Sequence, residues 1–261
     1  MRYRLLPLIP FLMTVFLTSL PTYAFDLRAG ASKIDITHPN KKLVEIPLLS
    51  RALVLKSDQT TLVIVTMDVV SIGEIGSIPD DFQENVRKRI VDSLGIPASN
   101  IMFNASHCHG IPSPHSEDLT VKVIEQAHGK LEPVTLKSSR AHEDRIQENR
   151  RMKLKDGSEI DVRHAYSLPA NKEILSTGPI DPEVGILRVD KTDGESLAVL
   201  FNFACHPIQG TPVSSGDTSD MTGYAAQVIE DNLDPGTIAL FIQGKEHAKA
   251  SPSTDDCNMI E

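Results

Sequence analysis

Tryptophan is absent from this chain, and aromatic residues make up only 5% of its 261 positions, so it carries no lipid-docking signature of aromatic side chains. Cysteine is scarce as well. Three thiols are too few for a disulfide scaffold even in an oxidising compartment, and the fold has to rest on an apolar core. Basic residues are outnumbered, 26 Lys and Arg against 35 Asp and Glu, and the net charge of −9 argues against nucleic acid as a partner. Internal repeats and low-complexity segments are missing too. What is present, 40% apolar and 23% charged residues, suits one globular domain or slightly more, without general disorder.

The one long apolar run lies at the start. Arg2 and Arg4 supply a positive beginning, Leu5 to Leu20 an apolar core, and Thr22-Tyr23-Ala24 a small-x-small cleavage site. Residues 1–24 therefore read as a signal peptide rather than a retained span, because Pro7, Pro10 and Pro21 interrupt the run. The expectation is export, secreted or periplasmic, with a mature chain beginning near Phe25. Removing Arg2 and Arg4, with no acidic residue lost, takes the charge from −9 to −11.

Hydrophobic periodicity then predicts an α/β fold: a mixed sheet built from strand-helix-strand units and hairpins, with helices packed on it. Lys33 to Thr37, stopped by Pro39, reads as a short strand at a sheet edge. Arg51–Leu55 and Thr61–Val70 flank Ser57-Asp58-Gln59 as a hairpin whose second strand is apolar enough to be central. From a cap at Asp80 or Asp81, Phe82, Val86, Ile90 and Leu94 recur four apart until Gly95, the pattern of an amphipathic helix. Asn100 to Ala105 follows as a strand, parallel to Thr61–Val70 because the crossover is helical. Leu119 to Gly129 reads as a second helix and Pro133 to Ser139 as a strand. Arg140 to Asn171 is a polar excursion with a turn at Asp156-Gly157. Val184–Val189 and Leu197–Ala204 make a hairpin around Asp193-Gly194, before a helix from Gly223 to Leu233 and a buried strand from Thr237 to Ile242.

Two of these strands end in histidine. Asn104-Ala105-Ser106-His107-Cys108-His109-Gly110 places two imidazoles after one strand, and an extended His-x-His points both rings the same way, toward one metal ion or toward a metal and a substrate. The run Leu197 to Ala204 ends in Cys205-His206-Pro207. The carboxyl ends of strands in open α/β sheets are where ligands bind. Cys108 and Cys205 read as small buried packing residues. Asp68 either supports a ligand histidine or caps a loop amide. The remaining histidines, His38, His115, His128, His142, His164 and His247, read as surface or loop residues.

Several islands, in order, resemble the N-terminal catalytic domain of the neutral (alkaline, non-lysosomal) ceramidase family. They are Ala29-Gly30 with Asp35-Ile36-Thr37, Asn104 to Gly110, Asn149-Arg150, Asp181-Pro182-Glu183-Val184-Gly185, Ala204-Cys205-His206-Pro207, Thr218-x-Asp220-x-x-Gly223 and Leu240-Phe241-x-Gln243-Gly244. The resemblance implies a zinc-dependent amidohydrolase that cleaves ceramide to sphingosine and a fatty acid. It implies His107 and His206 as zinc ligands, with His109 and Arg150 as catalytic residues hydrogen-bonding the developing oxyanion. It gives residues 25–244 as a partial N-terminal catalytic domain and 245–261 as an aberrant or disordered tail.

The sequence departs from the family in three places. Lys245 to Pro252 stands where the family has Gly-Asp-x-x-Pro, and Ser251 aligns with its active-site serine only through an insertion. The family's ligand glutamate and tyrosine lie beyond Glu261, and the loop reads Gly110-Ile111-Pro112 where serine, glycine and proline are usual. The expected substrate is a lipid or other N-acyl small molecule, with transient contact at a membrane surface. Two alternatives stand beside it: an inactive truncated fragment without a complete metal site, and a metal hydrolase of the same fold acting on a different amide or ester.

Overall fold

The computed structural model describes residues 26–40, 46–58, 60–147, 149–162, 168–207 and 218–244. The expected signal peptide, the tail after residue 244, His164 and His247 lie outside them. Strand β1 (Leu27–Asp35) pairs antiparallel with β2 (Leu49–Ser57), which turns through Asp58 into β3 (Thr60–Met67). Helix α1 (Phe82–Leu94) buries Phe82, Val86 and Ile90 and stops at Gly95, whose φ of 68° lets its N–H bond back to the Val91 carbonyl. This crossover leads to β4 (Ile101–Ala105), parallel to β3. Helix α2 (Ser116–His128) then packs on β1 and β2. At Gly30 a Cβ would stand 2.1 Å from the Ala127 carbonyl oxygen, so the missing side chain is what lets α2 lie directly on β1.

Strand β5 (Glu132–His142) leads into the polar excursion, which forms β6 (Arg151–Leu154), β7 (Glu159–Asp161) and β8 (Ile174–Thr177), a small sheet ordered β7-β6-β8. Strands β9 (Glu183–Lys191) and β10 (Ser196–Phe203) form the next hairpin; α3 (Asp220–Asp231) crosses to β11 (Ile238–Gln243), parallel to β10. The main sheet runs β11-β10-β9-β5-β1-β2-β3-β4. Its joint between β5 and β1 is narrow, Arg28 with Pro133 and Ala29 with Glu132, and the sheet folds there into two four-stranded halves.

Side-chain alternation builds the layers. Ala52, Val54, Val63 and Val65 face α1 and α2, whereas Leu53, Leu55 and Ile64 face the other half-sheet, meeting Val189, Leu200, Ile238 and Leu240. On the far side, Phe201, Phe203, Ala239 and Phe241 pack against Ala226 of α3. The order is therefore helices, half-sheet, half-sheet, helix, with the parallel pairs β3–β4 and β10–β11 ending at the same rim. Among the described residues no helix is long and apolar enough to cross a membrane.

Three details go beyond the expectations. β1 stands between β5 and β2 in the strand order, but it meets β5 only at Arg28 and Ala29, and Lys33 to Asp35 pair with β2 alone. β8 was not anticipated; four residues within a polar stretch carry too little periodicity to announce a strand. Asp81 occupies the N-cap of α1 without a side-chain cap, while Asp80 Oδ1 accepts from Glu74 N at 2.6 Å and ties down the preceding loop instead.

Candidate metal centre

Past β4 the chain does not stay extended. Ser106 N donates to the Met67 carbonyl (2.9 Å) and His107 N to the Val69 carbonyl (3.0 Å), which holds His107 at φ 64°. The left-handed region costs a non-glycine residue about 1–3 kcal/mol and persists where surrounding bonds over-determine it. Thus the His-x-His departs at His107 from the extended form the sequence suggested. The loop packs at Gly110 on Leu48, just before β2, where a Cβ would lie 2.4 Å from Leu48 Cδ2.

The loop gathers the histidines. The ring centroids of His107 and His206 are 4.8 Å apart, those of His109 and His206 5.5 Å, and those of His107 and His109 5.7 Å. One nitrogen from each ring lies within 4.8 Å of the others, with His107 and His206 half-buried and His109 exposed. His107 Nδ1 stands 2.9 Å from the Val70 carbonyl oxygen. Because a carbonyl only accepts, that bond puts a proton on Nδ1 and leaves Nε2 as the free ligand atom. Two nitrogens on one tetrahedral ion, bonded at about 2.0–2.1 Å, stand about 3.4 Å apart, so the rings need to close by about an ångström to share zinc. Imidazole nitrogen is a zinc donor, and His107, His109 and His206 could meet one ion either as three ligands or as two with the exposed His109 left to face a substrate. The residues present fit that ion.

The other candidates fall as follows. Arg150 sits immediately before β6, its carbonyl accepting from Val162 N (3.0 Å), in the small sheet rather than on the strands that carry the histidines. Asp68 supports no histidine: its Oδ2 accepts from Leu49 N (3.0 Å) and from Arg51 Nη1 (2.7 Å), and both charged side chains are 3% exposed. Cys108 and Cys205 are buried thiols within the apolar clusters. Burial, assisted by the Asp68 charge, pushes the Cys108 thiol up to about 12, so it stays protonated rather than acting as a thiolate. Asp220, buried at the start of α3, also has a left-handed φ of 57°, with its Oδ1 accepting from Met221 N at 2.6 Å.

Sequence reading passed over the bonds that bring the two histidine loops together. Asn104 Nδ2 donates to the Phe241 carbonyl (3.1 Å), Asn104 Oδ1 accepts from Gln243 N (3.0 Å), and Gln243 Nε2 donates to the Cys205 carbonyl (2.7 Å). The available signal was a polar residue on an inward position of an apolar strand. Beside His109 opens a cleft of about 320 Å³ walled by Val69, Val70, Ile78, Ile111 and Pro112. A larger hollow of about 520 Å³ lies among β6, β7 and β8, but no histidine lines it, so chemistry rather than size places the site.

No protein-family model matches the sequence, and no curated protein matches it. Solved structures do. A structure described as ceramidase complexed with C2 is 21% identical with a TM-score of 0.64, and neutral ceramidase from Pseudomonas aeruginosa is 21% identical with a TM-score of 0.62. Each match covers 84% of this chain and 38% of the other, so this chain spans well under half the length of those proteins. At that identity the likeness is one of architecture: the chain has a ceramidase-like fold.

Proposed function

We propose that this chain is part of an exported, zinc-dependent amidohydrolase of the neutral ceramidase kind, cleaving the N-acyl amide of ceramide or a related N-acyl lipid. The observation that carries the reading is the convergence of His107, His109 and His206 at the strand-end rim of a ceramidase-like fold. Zinc held there would polarise the amide carbonyl and acidify a water. The residues supply the rest. His107 and His206 hold the ion, the former with its tautomer fixed by the Val70 carbonyl. His109, the exposed ring, stands against the apolar cleft, where it is placed to donate to the oxygen that gains charge as water adds to the acyl carbon. The C–N bond then breaks, hydroxyl remaining on the acyl carbon and the proton leaving with the amine. Arg150 is assigned a supporting hydrogen bond to that oxygen by resemblance alone. The walls of Val69, Ile78 and Ile111 suit an aliphatic chain.

A specific observation favours a neighbouring substrate as a second reading. Ile111, 43% exposed, lines the cleft at a loop position where the resembled family has a smaller residue, which narrows the room for a bulky lipid base and suits a slimmer N-acyl amide or ester.

Zinc content tests the proposal. The full chain, expressed whole and purified, should hold about one zinc per molecule, weakly enough for a chelator to remove it, and both His107→Ala and His206→Ala should lose it. Turnover of a fluorogenic ceramide should be negligible until the chain is extended to the length of the ceramidases it resembles. Zinc retained in full by His107→Ala would overturn the assignment.

A further inference from the structure

We infer that Asn104 and Gln243 form a clamp that sets the distance between the two histidine loops, making both of them positioning residues of the metal centre. The clamp's consequence for metal rests on the reading above; its geometry does not. β4 and β11 are the two extreme strands of the main sheet, and edge strands present backbone groups that no ladder satisfies. Asn104 supplies the missing partner. Its amide donates to Phe241 and accepts from Gln243, the two-point pairing that a neighbouring strand would make, and so it fastens one half-sheet to the other. The amide orientation is fixed, because only Nδ2 can face a carbonyl and only Oδ1 can face an N–H.

The bonds continue toward the histidines on both sides. His107 lies three residues beyond Asn104, and the Gln243 side chain grips the carbonyl of Cys205, the residue before His206. A seam that opened by an ångström would spread His107 and His206 by a similar amount and about double the movement their rings need to reach one ion, whose ligand distances tolerate a few tenths. A comparison lies close by. Asn202 Nδ2 donates to the Ile242 carbonyl at 2.9 Å, but it joins β10 to β11, strands already laddered together, and so it bears on no seam.

The test uses the full chain with Asn104→Ala, Asn104→Asp, Gln243→Ala and Asn202→Ala. Asn104→Asp keeps the acceptor and the shape while setting a carboxylate against the Phe241 carbonyl, which guards against a variant that merely fails to fold. Zinc affinity by chelator competition, with the visible spectrum of the cobalt-substituted chain, should weaken about 10- to 100-fold for the first three variants and stay within about twofold for Asn202→Ala. In the metal-free chain the Gln243 backbone amide should exchange at least tenfold faster in Asn104→Ala, which removes its acceptor, and at its original rate in Asn202→Ala. Unchanged zinc affinity in Asn104→Asp, or an equal loss in Asn202→Ala, overturns the clamp. If the unaltered chain takes up neither zinc nor cobalt, the metal reading fails, and the exchange rate of the Gln243 amide decides the clamp by itself.

Discussion

Between the half-sheets, Leu53, Leu200 and Leu240 pack as an apolar slab, while nearer the rim the positions on β2, β3 and β4 and just past β3 pass to Arg51, Thr66, Asn104 and Asp68. The slab stabilises in the ordinary way, each large aliphatic side chain contributing about 1.5–3 kcal/mol by leaving water. The rim does not. Taking the Arg51 and Asp68 charges out of water cancels most of what their pairing returns, and Arg51 Nε and Thr66 Oγ1 are buried without hydrogen-bond partners. A fold tolerates such a layer where it does work other than stabilisation, and this one lies beneath the histidines. On β2 to β4 the local rules of burial are broken at the end where the histidines sit.

The largest effect should come from splitting the rim's ion pair. Asp68→Ala leaves Arg51 charged and buried and removes the acceptor of Leu49 N–H, so urea unfolding should show a loss of about 3–5 kcal/mol. Replacing both partners, Arg51→Met with Asp68→Leu, should restore most of it, since an apolar pair of similar volume needs no compensation. A single variant as stable as the parent would mean that the pair is solvated, and the contrast between rim and slab would collapse. In the slab, Leu240→Ala should cost about 2–5 kcal/mol through transfer and cavity terms, while zinc affinity stays within about twofold. A large fall in affinity there would show that slab and rim are not separable.

Much of the slab was legible in the sequence. The apolar runs Arg51–Leu55 and Leu197–Ala204 beside their turn residues, and the four-residue spacing of Phe82, Val86 and Ile90, are local signals, and the elements they announced are present. The meeting of His107 with His206 was also foreseen, from strand ends and resemblance. The left-handed backbone at His107 was not, because it depends on carbonyls of Val69 and Val70, nearly forty residues earlier. The closing of β4 onto β11 was equally hidden. Asn104 and Gln243 are 139 positions apart, and no periodicity reports a side chain acting as a strand.

The smallest effect belongs outside both regions, in the excursion after β5. Hydrogen bonds from the Arg145 guanidinium, with a further one from its backbone N–H at 2.9 Å, hold the Glu143 carboxyl down at about 2. A carboxylate with a depressed native value contributes its stability above the ordinary glutamate range and loses it as pH falls through about 2, so at neutral pH the contribution is fully present. That contribution is nonetheless slight, because the pair lies at the surface, where water and salt screen it. Arg145→Ala should therefore leave the thermal midpoint at pH 7 unmoved. In a carboxyl-carbon NMR titration it should raise the Glu143 midpoint, yet leave it below the ordinary value, since the bond from the residue 145 backbone N–H survives. A midpoint that stays at about 2 would assign the whole depression to the backbone turn. A marked drop in stability would instead make this exposed pair behave like Arg51 and Asp68, and would erase the difference in burial on which the ranking of these three effects depends.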